Sequence, residues 1–99
     1  MTAESGSIPQ QLLEVRKQID DIDQQLVMLL ARRFALTHQV GMLKATNSLN
    51  PVDPERETRK LASIRALCEE NQLNPHLVTD IFSQIMAEVV KNHKRLRDG

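Results

Sequence analysis

Three ionisable side chains, Arg33, Glu57 and His93, each interrupt an apolar stripe that otherwise repeats at helical spacing. The same stretches add the cations Arg16, Lys44 and Arg56 and the acid Asp53. Each interruption has a bland explanation on its own. An arginine can reach out of a seam along its apolar stem, and a glutamate in a first helical turn suits the helix dipole. A lone histidine on an apolar face is more often structural than functional. Together they say more, because stripes that pack on one another bring their interruptions into one interior. That interior would be a polar, net positive pocket in a helical bundle, a common location for ligand sites. Several cations, one carboxylate and no nucleophile suit recognition of a small dianion. They also suit a reaction that needs only conformational restraint and charge stabilisation. No nucleophile is spaced with a base, no glycine-rich loop could cradle a phosphate, and no His or carboxylate cluster has metal spacing, so neither cofactor nor metal is expected.

The spacing sets which cations could share one ligand. Lys44 follows Arg33 by eleven residues, close to three helical turns, so the two point to nearly one side with backbones ~16 Å apart. Arg16 lies seventeen residues before Arg33, ~25 Å along a helix axis, too far to share the molecule within one chain. From the partner of an antiparallel dimer it could reach; otherwise an exposed pair with Asp20, at i and i+4, is the favoured reading. Arg56 is a cation in a first helical turn, where the dipole disfavours it, and makes sense if an anion binds there.

The elements that carry these residues follow from the apolar period. Leu12, Val15, Ile19, Ile22, Leu26, Leu29, Arg33, Leu36, Val40 and Leu43 alternate steps of three and four over Leu12 to Lys44. That pattern predicts one long helix, starting near Gln10, with a seam buried against other helices. Its single glycine is Gly41. Thirty-three residues span roughly 50 Å, whereas a compact domain of this length is about 30–35 Å across. Much of the seam therefore needs cover from another chain, and an intertwined helical homodimer is expected. Residues 45–52 read as a loop. Asp53-Pro54 starts a second helix as N-cap and first-turn proline, with Leu61, Ile64, Leu67 and Cys68 as its buried stripe. Asn74-Pro75 repeats that start for a third helix, whose stripe is Val78, Ile81, Phe82, Ile85, Met86, Val89, His93 and Leu96. The last nine residues, KNHKRLRDG, are expected to fray. The fold class is all-α, three helices in a single domain over residues 10–99, after a disordered stretch over 1–9.

Composition limits the function classes. The chain has 99 residues, is 40% apolar with two aromatics, and balances thirteen basic against thirteen acidic side chains. Zero net charge argues against general nucleic-acid or membrane-surface binding, although Ala31 to Leu49 is locally positive through Arg32, Arg33 and Lys44. Cys68 is the only cysteine, so no disulfide framework is expected. The first residues lack the basic start and apolar run of a secretory signal. A soluble, cytoplasmic domain is the expectation.

LLEVRKQIDDIDQQLVMLLARRFALTHQVGMLKA, then VDPERE, then IFSQIMAEVVKNH, resembles the all-helical chorismate mutase family over about residues 12 to 96. The most specific parts are R-x2-I-x2-I-D in the first helix, R-R-x7-G-x2-K from Arg32 to Lys44, and D-x2-R-E at the start of the second helix. The resemblance implies two chains intertwined through their first helices, with two shared sites. It implies the pericyclic rearrangement of chorismate to prephenate on the way to Phe and Tyr, with no cofactor. Arg16 of the partner chain and Arg33 would hold the two carboxylates, and Lys44 would sit by the ether oxygen. Asp53, mainly through its backbone, and Glu57 would bind the ring hydroxyl, and Arg56 would line the site.

Two departures bear on the opposite wall. Where many members carry a glutamine that also donates to the ether oxygen, this chain has His93. A neutral imidazole with its N–H inward would replace the amide and a protonated one would add charge, so activity is expected to respond to pH between about 5 and 8. Where some members have a serine, Val89 stands one turn earlier, removing a carboxylate contact. Two alternatives remain open: an isochorismate-pyruvate lyase on the same scaffold, and a helical dimerisation module without catalysis. A partner enzyme of the same pathway could also bind and activate the domain.

Overall fold

The computed structural model describes residues 8–99, so most of the stretch expected to be disordered, residues 1–7, lies outside the described residues. The three expected helices are α1 (Gln10–Thr46), α2 (Pro54–Glu70) and α3 (Pro75–Asp98), and the described residues include no strand. None of these helices is long and apolar enough to cross a membrane. Two compact units divide the chain, residues 1–34 and 35–99, with the division falling inside α1.

In the first unit, the described residues are almost wholly the N-terminal part of α1. Its start uses the Pro9 carbonyl, which accepts from the N–H groups of Leu12 and Leu13. The aliphatic seam is present and uncovered: Ile19, Ile22, Leu26 and Leu29 are each more than half exposed in the single chain. A helix cannot bury its own stripe, so the 3.6-residue period places these side chains on one face without supplying anything to pack against them.

The second unit contains the described buried apolar side chains, Ile64 and Cys68 of α2. Helices α2 and α3 pack on each other. Thr79 is buried beside them with its hydroxyl satisfied, donating to the Pro75 carbonyl at 2.6 Å. Gly41 and Pro51 are also buried. Leu67 and Ile81, expected to be buried, are 49% and 45% exposed. A two-helix contact covers only a narrow strip of each helix, and these two side chains lie off it.

The helix ends follow local rules. Asp53 caps α2, its Oδ1 accepting from the Arg56 N–H at 3.2 Å, and Asn74 caps α3 by accepting from the His76 N–H at 3.0 Å; proline occupies the first turn of each. Asn47 and Asn71 close α1 and α2 in the same way, donating from Nδ2 to the Leu43 and Leu67 carbonyls at 2.8 Å. Ser48 and Gln72 next to them adopt positive φ, 56° and 59°, the left-handed reversal by which many helices stop. The C-terminus corrects the expectation of fraying. α3 runs to Asp98, and the Gly99 N–H closes it on the Arg95 carbonyl at 2.8 Å. Arg95 and Arg97 in that last turn complement the helix dipole. Arg97 also donates to both Asp98 oxygens, which lowers the Asp98 carboxyl below its ordinary range.

Candidate active site

Of the residues singled out by spacing, Arg16 and Arg33 fall in the first unit. Arg33 is half-buried, while its aliphatic seam neighbours Leu29 and Leu36 are 55% and 58% exposed. Arg16 is exposed. The expected pair with Asp20 does not form, whereas Glu55 and Arg59, at the same spacing, do pair at 3.7 Å.

Lys44, Asp53, Arg56, Glu57, Val89 and His93 belong to the second unit. His93 is only 4% exposed, and its ring lies against α1. A carbonyl can only accept, so the 2.7 Å contact between Nε2 and the Thr37 oxygen is an Nε2–H donating to the backbone of α1. The other ring nitrogen, Nδ1, is buried and has no hydrogen-bond partner among the described residues. Gly41, one turn beyond Thr37, makes room for the ring. A Cβ built there would stand 2.5 Å from His93 Cδ2 and 2.7 Å from Leu96 Cδ1. Sequence reasoning missed both partners of the ring. A backbone acceptor leaves no trace in residue type, whereas a lone glycine inside a long helix was a usable sign of close approach.

Lys44 stands three residues beyond Gly41, is half-buried, and donates from Nζ to the carbonyl of buried Pro51 at 3.3 Å. Glu57 is half-buried in the first turn of α2, and its N–H donates to the Asp53 carbonyl at 3.1 Å. Asp53 and Arg56 are exposed, and Val89 is half-buried one turn before His93. The structure therefore joins His93 to the part of α1 that carries Lys44, and places Glu57 by the cap of α2. The described residues hold no group of three His, Cys, Asp or Glu side chains that could share a metal.

The profile of the chorismate mutase type II family matches residues 15–94. The chain belongs to the chorismate mutase type II family. It is 37% identical over 79 residues to the chorismate mutase of Methanocaldococcus jannaschii, covering 80% of this chain and 79% of that protein. It is 38% identical over 78 residues to the T-protein of Enterobacter agglomerans, covering 79% of this chain and 21% of that protein. The bifunctional chorismate mutase/prephenate dehydratase of Escherichia coli is 31% identical over 85 residues, 86% of this chain and 22% of that protein. The chain thus spans about a fifth of the T-protein and bifunctional relatives and most of the archaeal one. Family membership agrees with the all-helical class read from the apolar period. Every position of the candidate set, from Arg16 to His93, falls inside the family match.

Proposed function

We propose that the chain is a chorismate mutase, converting chorismate to prephenate in Phe and Tyr biosynthesis without a cofactor. The observation that carries this reading is that the family match spans all eight candidate positions, which in this chain include four cations and the carboxylates Asp53 and Glu57. Chorismate is a dianion whose C–O bond breaks with charge separation. Fixed cations favour the compact reactive conformer and stabilise that charge more in the transition state than in the ground state. Residue roles are carried by position in the family sequence. Arg33 and the partner's Arg16 hold the carboxylates, with Arg56 nearby, and Lys44 stands by the ether oxygen. Asp53 and Glu57 bind the ring hydroxyl, Val89 lines the wall, and His93 occupies the place of the second ether-oxygen donor.

The working form in this proposal is a cytoplasmic homodimer. The uncovered seam of the first unit supports it: a row of aliphatic side chains more than half exposed in one chain is a cost in water that a second copy of the helix removes. A partner enzyme acting in the same pathway completes the proposal, in line with relatives named as bifunctional with prephenate dehydratase. The test is direct. Purified protein is given chorismate and, separately, isochorismate, while its mass is measured by sedimentation. Loss of chorismate with formation of prephenate by a dimer is expected. Salicylate and pyruvate from isochorismate alone would assign the lyase reaction, and a dimer inert to both would leave a helical dimerisation module.

A further inference from the structure

His93 has one donor to give when its imidazole is neutral, and that donor is already taken. Nε2–H is committed to the Thr37 carbonyl at 2.7 Å, and the ring is held there by the notch at Gly41. A neutral ring in this position offers a ligand only the lone pair of Nδ1, which repels an anion or an ether oxygen. It can donate without giving up Thr37 only after Nδ1 gains a proton. In the ligand-free chain an Nδ1–H would have no acceptor among the described residues, and a buried donor without an acceptor is costly. An anionic ligand supplies the missing acceptor and a counter-charge together.

We infer that His93 takes up a proton when the site binds its dianion, so that ligand affinity is linked to pH through this one ring. The inference rests on the reading of the site given above. The ionisable residues near the ring's contacts along the chain include His38 and Lys44 on α1 and Glu88, Lys91, Lys94 and Arg97 on α3, and α2, which packs on α3, carries Glu57 and Lys60 at half-buried positions. None of them is hydrogen-bonded to the ring among the described residues: Lys44 is turned to Pro51, Arg97 to Asp98, and His38 is exposed. Thr37 and Gly41 act here as positioning residues, because they decide which nitrogen of His93 is left for the ligand.

Calorimetric titration of the whole protein with prephenate, repeated in buffers of different ionisation enthalpy, reads the proton directly. Uptake approaching about one proton per site is expected on the alkaline side of the imidazole range, with affinity weakening up to about tenfold per pH unit there. His38→Gln should leave the uptake unchanged, and His93→Gln, whose amide donates at any pH, should abolish it. Binding of prephenate by the wild-type protein with no proton uptake at any pH overturns the inference and leaves the proposed function standing. Uptake that survives in His93→Gln also overturns it. Absence of prephenate binding overturns the reading of the site, and the inference with it.

Discussion

Lys44 and Pro51 are joined across the turn between α1 and α2, the lysine ammonium donating to the proline carbonyl at 3.3 Å. The contact has two consequences. It fixes the long side chain near the end of α1, and it supplies a donor to the carbonyl of a buried residue. A charged group held by a neutral backbone oxygen keeps its charge for a ligand while having its rotamers restricted in advance.

Lys44→Ala is therefore expected to lower kcat with chorismate by about 10²–10³-fold, the usual cost of removing one preorganised donor to developing negative charge. Lys44→Arg is expected not to rescue it, because a planar fork on a longer stem cannot meet both the Pro51 carbonyl and the ligand as a compact ammonium does. Steady-state kinetics on folded variants, checked by circular dichroism, measure this. Wild-type kcat in Lys44→Ala would remove the lysine from the site.

Arg33→Ala is expected to reduce kcat/KM by at least about 10²-fold without loss of helicity, since it removes an electrostatic contact stronger in the transition state than in the ground state. Arg33→Leu is the sharper variant. It completes the aliphatic seam of α1, so it should hold or raise thermal stability while activity is lost. If Arg33→Leu retains full activity, Arg33 serves only the seam.

Gly41→Ala separates local propensity from packing. Alanine is favoured over glycine in a helix interior by about 1 kcal/mol, yet a Cβ at 41 would meet His93 Cδ2 at 2.5 Å and Leu96 Cδ1 at 2.7 Å. Overpacking of this kind costs typically ~1–3 kcal/mol, so the net change should be destabilising, by about 1 kcal/mol. In the double variant with His93→Ala the penalty should shrink, and the non-additivity in a denaturation cycle is the measure of the notch. A stabilised Gly41→Ala would show that propensity outweighs the fit of the ring.

Asp53 should act on stability more than on catalysis. Its Oδ1 caps α2 through the Arg56 N–H, and the role proposed for it toward substrate falls mainly to its backbone. Asp53→Ala is expected to cost about 1 kcal/mol in urea denaturation, the usual loss of an N-cap, with activity changed little. Asp53→Asn, which caps equally well, should be close to wild type in both. A large fall in kcat for Asp53→Asn would assign the carboxylate itself to the substrate.

How far the sequence was legible depended on whether a feature is written in side chains. The caps Asp53 and Asn74 with their prolines, the period of α1 and the pair Ile64 and Cys68 are local or periodic, and all appear where the pattern puts them. Leu67 and Ile81 share the same period, yet periodicity assigns a face and says nothing of what covers it. The partners of the candidate site side chains were the least visible part. Thr37 and Pro51 contribute carbonyl oxygens, which every residue has, so nothing in their identity marks them. For His93 this mattered: residue type allowed the ring to offer a ligand an N–H while neutral, and the Thr37 carbonyl closes that option.

The proposed sharing of sites between chains can be tested without a structure of the dimer. If each site takes Arg33 from one chain and Arg16 from the other, Arg16→Ala and Arg33→Ala homodimers each lose both sites. In a heterodimer of the two variants, both lesions fall in the same site, since the chain carrying Arg16→Ala serves the pocket of the chain carrying Arg33→Ala. The other site then has both arginines intact. Random exchange at equal concentrations makes half of all dimers heterodimers, each with one of two sites working, so recovery of about one quarter of wild-type activity is expected when the dimer assembles statistically. Exchange is followed by mass spectrometry of differently tagged chains, and activity by chorismate consumption. Verified exchange with no recovery would mean that Arg16 and Arg33 serve their own chain or do not meet the same ligand.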